Sequence, residues 1–305
     1  MTKKSETTEK EKFTTKFGRF HDKNYKKLLL IPAVIFLFCF VYLFLFYSSH
    51  DDFIYRDISL TGGTSVTIFE QVEVTDLEQH LQSEFDSFTI REMSDIVTRE
   101  QIAVVVETTS EAQETRGVLE SYLGVELTEE NSSFEFTGSA LSEDFFKQLL
   151  FAVLLAFVFM AIVVFIIFRT FIPSAAVIIS AFANIIMTLV IFNMLEISMS
   201  TAGVVAFLML IGYSVDTDIL LTNRVLKREG TINERLYSAF TTGITMTLTS
   251  LLALSIALYV VSSFSATLTK IFLVLVIGLG FDLLNTWITN VSILKWYVER
   301  KEAER

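Results

Sequence analysis

Asp216, Asp218 and Arg224 stand in, or at the end of, an otherwise apolar stretch, Gly212-Tyr213-Ser214-Val215-Asp216-Thr217-Asp218-Ile219-Leu220-Leu221-Thr222-Asn223-Arg224. An acidic side chain near the middle of a bilayer costs ~2.5–3.5 kcal/mol on insertion scales, so such residues face a bundle interior and often mark ion paths or proton relays. Asp282 lies near the middle of the last apolar segment, with Asn285, Thr286 and Thr289 following at helical spacing. Thr241, Thr245 and Thr249 share one face of the segment before it. Counted at ~1.5 Å per residue from the segment centres, these groups fall at comparable depth, so three helices present polar faces at one level. Asp216 and Asp218 are about 200° apart around a helix. One therefore faces the hydroxyls and the other a partner helix or Arg224. Interhelical hydrogen bonds of ~0.6–2 kcal/mol account for the Ser and Thr side chains as packing. Three carboxylates in two neighbouring spans point instead to proton or cation transfer through Asp216, Asp218 and Asp282. Arg224 opens a basic loop, as a member of that relay or as an interfacial anchor.

Helices crossing a membrane must position these residues. The chain has 305 residues, 52% of them hydrophobic and 29 of them Phe, with a mean hydropathy of +0.53, too apolar for a soluble globule. Uncharged runs from Leu28 to Tyr47 and from Leu149 to Phe168 each hold 20 residues, enough to cross a ~30 Å hydrocarbon core. Phe171–Phe192, Thr201–Leu221, Phe240–Val260 and Ile271–Leu294 follow at spanning length, with Ser, Thr, Asn and Gly increasing toward the C-terminus. The last three spans are expected to form the protein-facing core, and the first two to meet more lipid. Gly203, Gly212, Gly243, Gly278 and Gly280 are expected to let helices approach closely.

Nine basic residues against four acids precede the first span, which assigns residues 1–27 to a cytoplasmic tail. The first apolar run exceeds a signal-peptide core and no A-x-A site follows it, so it is read as an uncleaved anchor, residues 28–47. Alternating six spans puts 18 of the 24 Lys and Arg residues inside, with both termini cytoplasmic, residues 141–295 as a five-helix region and residues 296–305 as the cytoplasmic C-terminus.

Residues 48–140 are then external, with 20 acids, four arginines and no lysine. A solvated acidic surface accounts for this charge without a specific ligand. Alternation at Val66 and Ile68, at Phe88 and Ile90, at Ile102, Val104 and Val106, and at Phe134 and Phe136 marks four strands. Leu77, Leu81 and Phe85 stripe one helix, and Val118, Leu119, Tyr122 and Leu123 another. Strand, helix, strand, strand, helix, strand closes as a ferredoxin-like α+β domain between the first and second membrane helices. It contains no paired nucleophile and base and no phosphate loop, so a binding or mechanical role is expected rather than catalysis. Asn131-Ser132-Ser133 is a glycosylation sequon.

The single cysteine, Cys39, sits inside the first span, and His21, His50 and His80 lie outside the spans. No metal, cofactor, enzymatic activity or nucleic-acid partner is expected.

Asp57-Ile58-Ser59-Leu60-Thr61-Gly62-Gly63 after the first span, Gly138-Ser139-Ala140-Leu141-Ser142 before the second, and Gly212-Tyr213-Ser214-Val215-Asp216-Thr217-Asp218 in the fourth resemble motifs of the SecF family. That family is the accessory branch of SecD/SecF within the RND superfamily. The resemblance covers nearly the whole chain from the first span to Trp296-Tyr297. It implies a cell-membrane subunit of the Sec pathway that pairs with a SecD-like subunit beside a SecY-type channel, amid membrane lipid, and promotes translocation of a polypeptide. Bacterial relatives are thought to draw on the proton motive force. By position, the resemblance assigns Asp216 and Asp218 to an ion-responsive site and Arg224 to its basic position. The bacterial pattern reads closer to Gly-Tyr-Ser-Ile-Asn-Asp-Thr, with its acid where Thr217 stands here. Acids on either side of that position, with Asp282-Leu283-Leu284-Asn285-Thr286-Trp287 in the last span, are similar to the archaeal branch. An RND-type antiporter of small molecules or ions, and a structural scaffold of the translocase, remain the alternative readings.

Overall fold

Lipid offers backbone amides no hydrogen-bond partner, so long apolar runs close their peptide groups within helices. The computed structural model of this multi-pass membrane protein describes residues 25, 27–85, 87–95, 98–227, 229–263 and 265–304. Most of the tail read as cytoplasmic, residues 1–24 and 26, lies outside the described residues.

Among the described residues, six helices are long and apolar enough to span a membrane. They are α1 (Leu30–His50), α5 (Ser139–Phe168), α6 (Phe171–Met194), α7 (Thr201–Lys227), α8 (Ile232–Val261), and a last span of α9 (Ala266–Leu284), a π-helical turn (Asn285–Asn290) and α10 (Val291–Ala303). Between α1 and α5 the chain forms α2 (Ile58–Thr61), β1 (Gly63–Ile68), α3 (Val74–Glu84), β2 (Phe88–Ser94), β3 (Gln101–Thr108), α4 (Ala112–Leu123) and β4 (Ser132–Thr137). The strands make one antiparallel sheet in the order β2-β3-β1-β4. Val66 of β1 pairs with Val106 of β3 and Phe134 of β4. These and Ile68 and Val104 pack on Leu77, Leu81 and Leu119 of the two helices, as the period-two and period-four patterns require.

In the membrane region α6 and α7 are the most enclosed helices, each with more than half of its apolar stretch buried, whereas α8 is mostly exposed. The expectation that the last three spans form the core therefore fails for α8. Its threonines need no neighbouring helix, because their hydroxyls return to their own backbone. Thr241 Oγ1 donates to the Tyr237 carbonyl at 3.1 Å, Thr245 to that of Thr241 at 2.7 Å, and Thr249 to that of Thr245 at 2.7 Å. One face of α8 does pack inward: a Cβ on Gly243 would lie 2.5 Å from the Trp287 ring. Gly278 likewise admits Leu210, and Gly203 admits Met199, while a Cβ on Gly212 or Gly280 would meet nothing within 4 Å.

Candidate functional site

Where α6, α7 and the last span meet, polar side chains form one buried network. From α7 come Ser214 and Asp218, one helical turn apart on the inward face, and from α6 comes Asn184. Asp282 stands near the end of α9, and Asn285, Thr286 and Asn290 belong to the π turn that follows. Asn184, Asp218, Asp282, Asn285, Thr286 and Asn290 are all fully buried, and Ser214 almost so.

Asp282 Oδ1 accepts hydrogen bonds from Ser214 Oγ at 2.7 Å and Asn184 Nδ2 at 2.9 Å. Asp218 Oδ1 accepts from Asn290 Nδ2 at 2.7 Å and Thr286 Oγ1 at 2.8 Å. The Thr286 hydroxyl also lies 3.3 Å from Asp282 Oδ1, so a single proton donor stands between the two carboxyls. Asn285 Nδ2 donates to Asn184 Oδ1 at 2.6 Å and holds that amide in its orientation. Asp218 Oδ2, Asp282 Oδ2 and Asn290 Oδ1 are buried and accept no hydrogen bond from the described residues.

The donors to both carboxyls are thus neutral amides and hydroxyls. Such groups orient a carboxylate without neutralising it. Two carboxylates sharing one hydroxyl in a low-dielectric interior repel, and a proton or a cation between them removes the repulsion. The π turn matters to this geometry because its extra residue per turn shifts Thr286 and Asn290 round the helix, and both reach Asp218 from there.

The other residues singled out from sequence are placed elsewhere. Asp216 and Gly212 are exposed on the opposite face of α7, and Tyr213 is 41% exposed beside them. Thr241, Thr245 and Thr249 also point away from the carboxyl pair, on the exposed side of α8. Arg224 is half-buried and donates to the Ser238 carbonyl, to Ser238 Oγ at 3.0 Å and to Thr242 Oγ1 at 2.9 Å, tying the end of α7 to the start of α8. Thr289 Oγ1 lies 3.3 Å from Asn285 Oδ1, at the edge of the network.

The Asp57-to-Gly63 motif lies at the join between the sheet and the spans. Asp57 caps α2, accepting from Ser59 N at 3.0 Å and Ser59 Oγ at 2.6 Å. Gly62 (φ +83°) and Gly63 (φ +143°) turn the chain into β1 in conformations that disfavour a side chain. A Cβ on Gly62 would lie 2.5 Å from the Ser139 backbone, and one on Gly63 2.2 Å from the Thr108 carbonyl.

Asn184 and Asn290 were not foreseen as site residues. The one signal for either is an isolated amide within an apolar span.

Residues 120–300 match the family described as "Protein export membrane protein SecD/SecF, C-terminal". The chain is 38% identical over 258 residues to the "Protein-export membrane protein SecF" of Methanocaldococcus jannaschii, an alignment covering 82% of this chain and 89% of that one. It is 37% identical over 284 residues to the protein of the same name from Methanothermobacter thermautotrophicus, covering 91% and 94%. Its fold matches the crystal structure of SecDF, a translocon-associated membrane protein from Thermus thermophilus, with a TM-score of 0.69 at 19% identity. That match covers 90% of this chain and 38% of the SecDF chain.

Proposed function

The chain belongs to the SecD/SecF protein-export family, and on that premise we propose that it is the SecF-type subunit of a two-part accessory complex that promotes polypeptide translocation in response to an ion gradient. The observation that carries the ion-responsive part is the buried Asp218–Thr286–Asp282 arrangement, two carboxyls held by neutral donors and joined through one hydroxyl. Protonation or cation binding there changes the charge balance of three packed helices, and such a change moves helices. In this reading residues 48–140 form an external ferredoxin-like domain, both termini are cytoplasmic, and the complex works beside a SecY-type channel.

The exposed side of α7 with Asp216 and Tyr213, and that of α8 with Thr241, Thr245 and Thr249, take the SecD-like partner. Asp216 lies eleven residues before the end of α7, or ~16 Å into the helix. A carboxylate there facing lipid costs ~2.5–3.5 kcal/mol, and a second protein with matching donors removes that cost. Export requires no catalytic residue in this account, and neither a cofactor nor a metal centre is assigned.

Purification from membranes in mild detergent tests the assembly: a second six-span protein is expected to co-purify, and depletion of this chain is expected to slow secretion. Gradient-driven small-molecule flux in vesicles containing this chain alone would instead favour an antiporter.

A further inference from the structure

Lys270, which no spacing or motif marks, ties the last span to the cap of α2, the short helix that leads into the sheet. It lies one turn into α9, is 5% exposed, and its Nζ forms an ion pair with Asp57 Oδ2, itself 9% exposed. Ser198 Oγ stands 3.3 Å from the same ammonium. A second thread runs beside it: the Ser94 amide, at the end of β2, donates to the Ser263 carbonyl in the loop before α9 at 3.0 Å.

Asp57 is not a free end. It caps α2, and α2 passes through Gly62 directly into β1, a central strand of the sheet. The Tyr55–Asp57 segment is laced to the α6–α7 loop, with Met199 N donating to Tyr55 O at 2.6 Å and Asp57 N donating to Met199 O at 3.0 Å. A displacement of Asp57 is therefore a displacement of β1.

At the other end of the same helix is Asp282. Lys270 and Asp282 both lie within α9, twelve residues apart, a rod of ~18 Å. Of the two glycines in that rod, Gly278 is braced by Leu210 of α7, which fills the space its Cβ would take, whereas a Cβ on Gly280 would meet nothing within 4 Å. Immediately beyond Asp282 regular helix gives way to the π turn, and π turns are where helices bend and where their register shifts.

We propose that α9 is a lever: it pivots at the π turn, senses the state of Asp282, and passes its movement to the sheet through the Lys270–Asp57 pair. Lys270 is in this sense a positioning residue that couples the intramembrane carboxyls to the domain between α1 and α5. The inference rests on the carboxyl pair being the responsive site, but its test requires neither export nor a gradient.

The test is hydrogen–deuterium exchange of the full chain in lipid nanodiscs, read at the amides of residues 57–68, for a cycle of Asp282→Asn, Lys270→Met and the double variant. Asp282→Asn alone is expected to change exchange in that segment about threefold or more, the scale of coupled sites. In the Lys270→Met background the same substitution is expected to change it no further. Lys270→Arg is expected to retain transmission and Lys270→Gln to lose it, which covers the case in which the methionine variant does not fold. Additive effects of the two substitutions, or no response of residues 57–68 to Asp282→Asn, would overturn the lever. Gradient-independent export alongside a non-additive cycle would sink the ion-coupling reading and leave the lever standing.

Discussion

Asp218 and Asp216 are two residues apart on one helix and live in opposite worlds. Asp218 is fully buried, with Thr286 and Asn290 donating to it from the last span. Asp216 is exposed on the other side of α7, beside Tyr213 and Gly212, and the α8 threonines are exposed as well. The difference separates two uses of polar residues in a membrane helix. The inward set is held by side chains of three helices, with one oxygen of each carboxyl still without a donor. The outward set is satisfied only by its own backbone, as the threonines are, or awaits a neighbour, as Asp216 does.

Substitutions that treat the two surfaces alike break this comparison, and those that separate them sharpen it. The largest effect belongs to the buried Lys270–Asp57 ion pair. Lys270→Met leaves Asp57 without its ammonium and is expected to cost about 3–5 kcal/mol, the usual penalty for removing one partner of a buried pair. Thermal unfolding in detergent measures it, and an unchanged midpoint would mean that the pair is effectively solvated. Next comes Asp218→Leu, which strips the acceptor from the Asn290 amide at about 1–3 kcal/mol for a buried donor left unmet, while the Thr286 hydroxyl keeps Asp282 as its acceptor. Asp216→Leu, the same change on the outer face, should leave the isolated chain at least as stable and instead weaken recovery of the second six-span protein from mild-detergent membranes.

The sheet was legible because its strands alternate cleanly: Val66, Ile68, Val104 and Val106 all face α3 and α4. So were Asp218 and Asp282, since a charged residue in an apolar helix must be accounted for. Helical spacing put Asp216 and Asp218 on different faces, but the angle between two residues does not tell which face is covered. The same gap misplaced Thr241, Thr245 and Thr249, whose shared face is real and points outward. Asn184 was hidden because one amide in a long apolar run leaves no periodic trace. The π turn was hidden because a one-residue change in winding has no residue type of its own, and with it went the roles of Thr286 and Asn290.

Two smaller effects refine the contrast. Gly243→Val places a side chain where the Trp287 ring lies, and is expected to cost about 1–3 kcal/mol by overpacking, read as a lower unfolding temperature. Thr245→Val on the outer side of the same helix removes only a bond to its own backbone, and should fall within about 0.5 kcal/mol of the parent. A large loss at Thr245 would show that the α8 face is structurally engaged within this chain.

The most direct measurement compares Asp218→Asn with Asp216→Asn in cells, scoring the gradient-dependent part of secretion after abundance and partner association have been checked. The buried-pair account predicts that Asp218→Asn loses that component with assembly intact, whereas Asp216→Asn keeps it in whatever complex still forms. Unchanged export in Asp218→Asn, or its loss in a fully assembled Asp216→Asn complex, would contradict it.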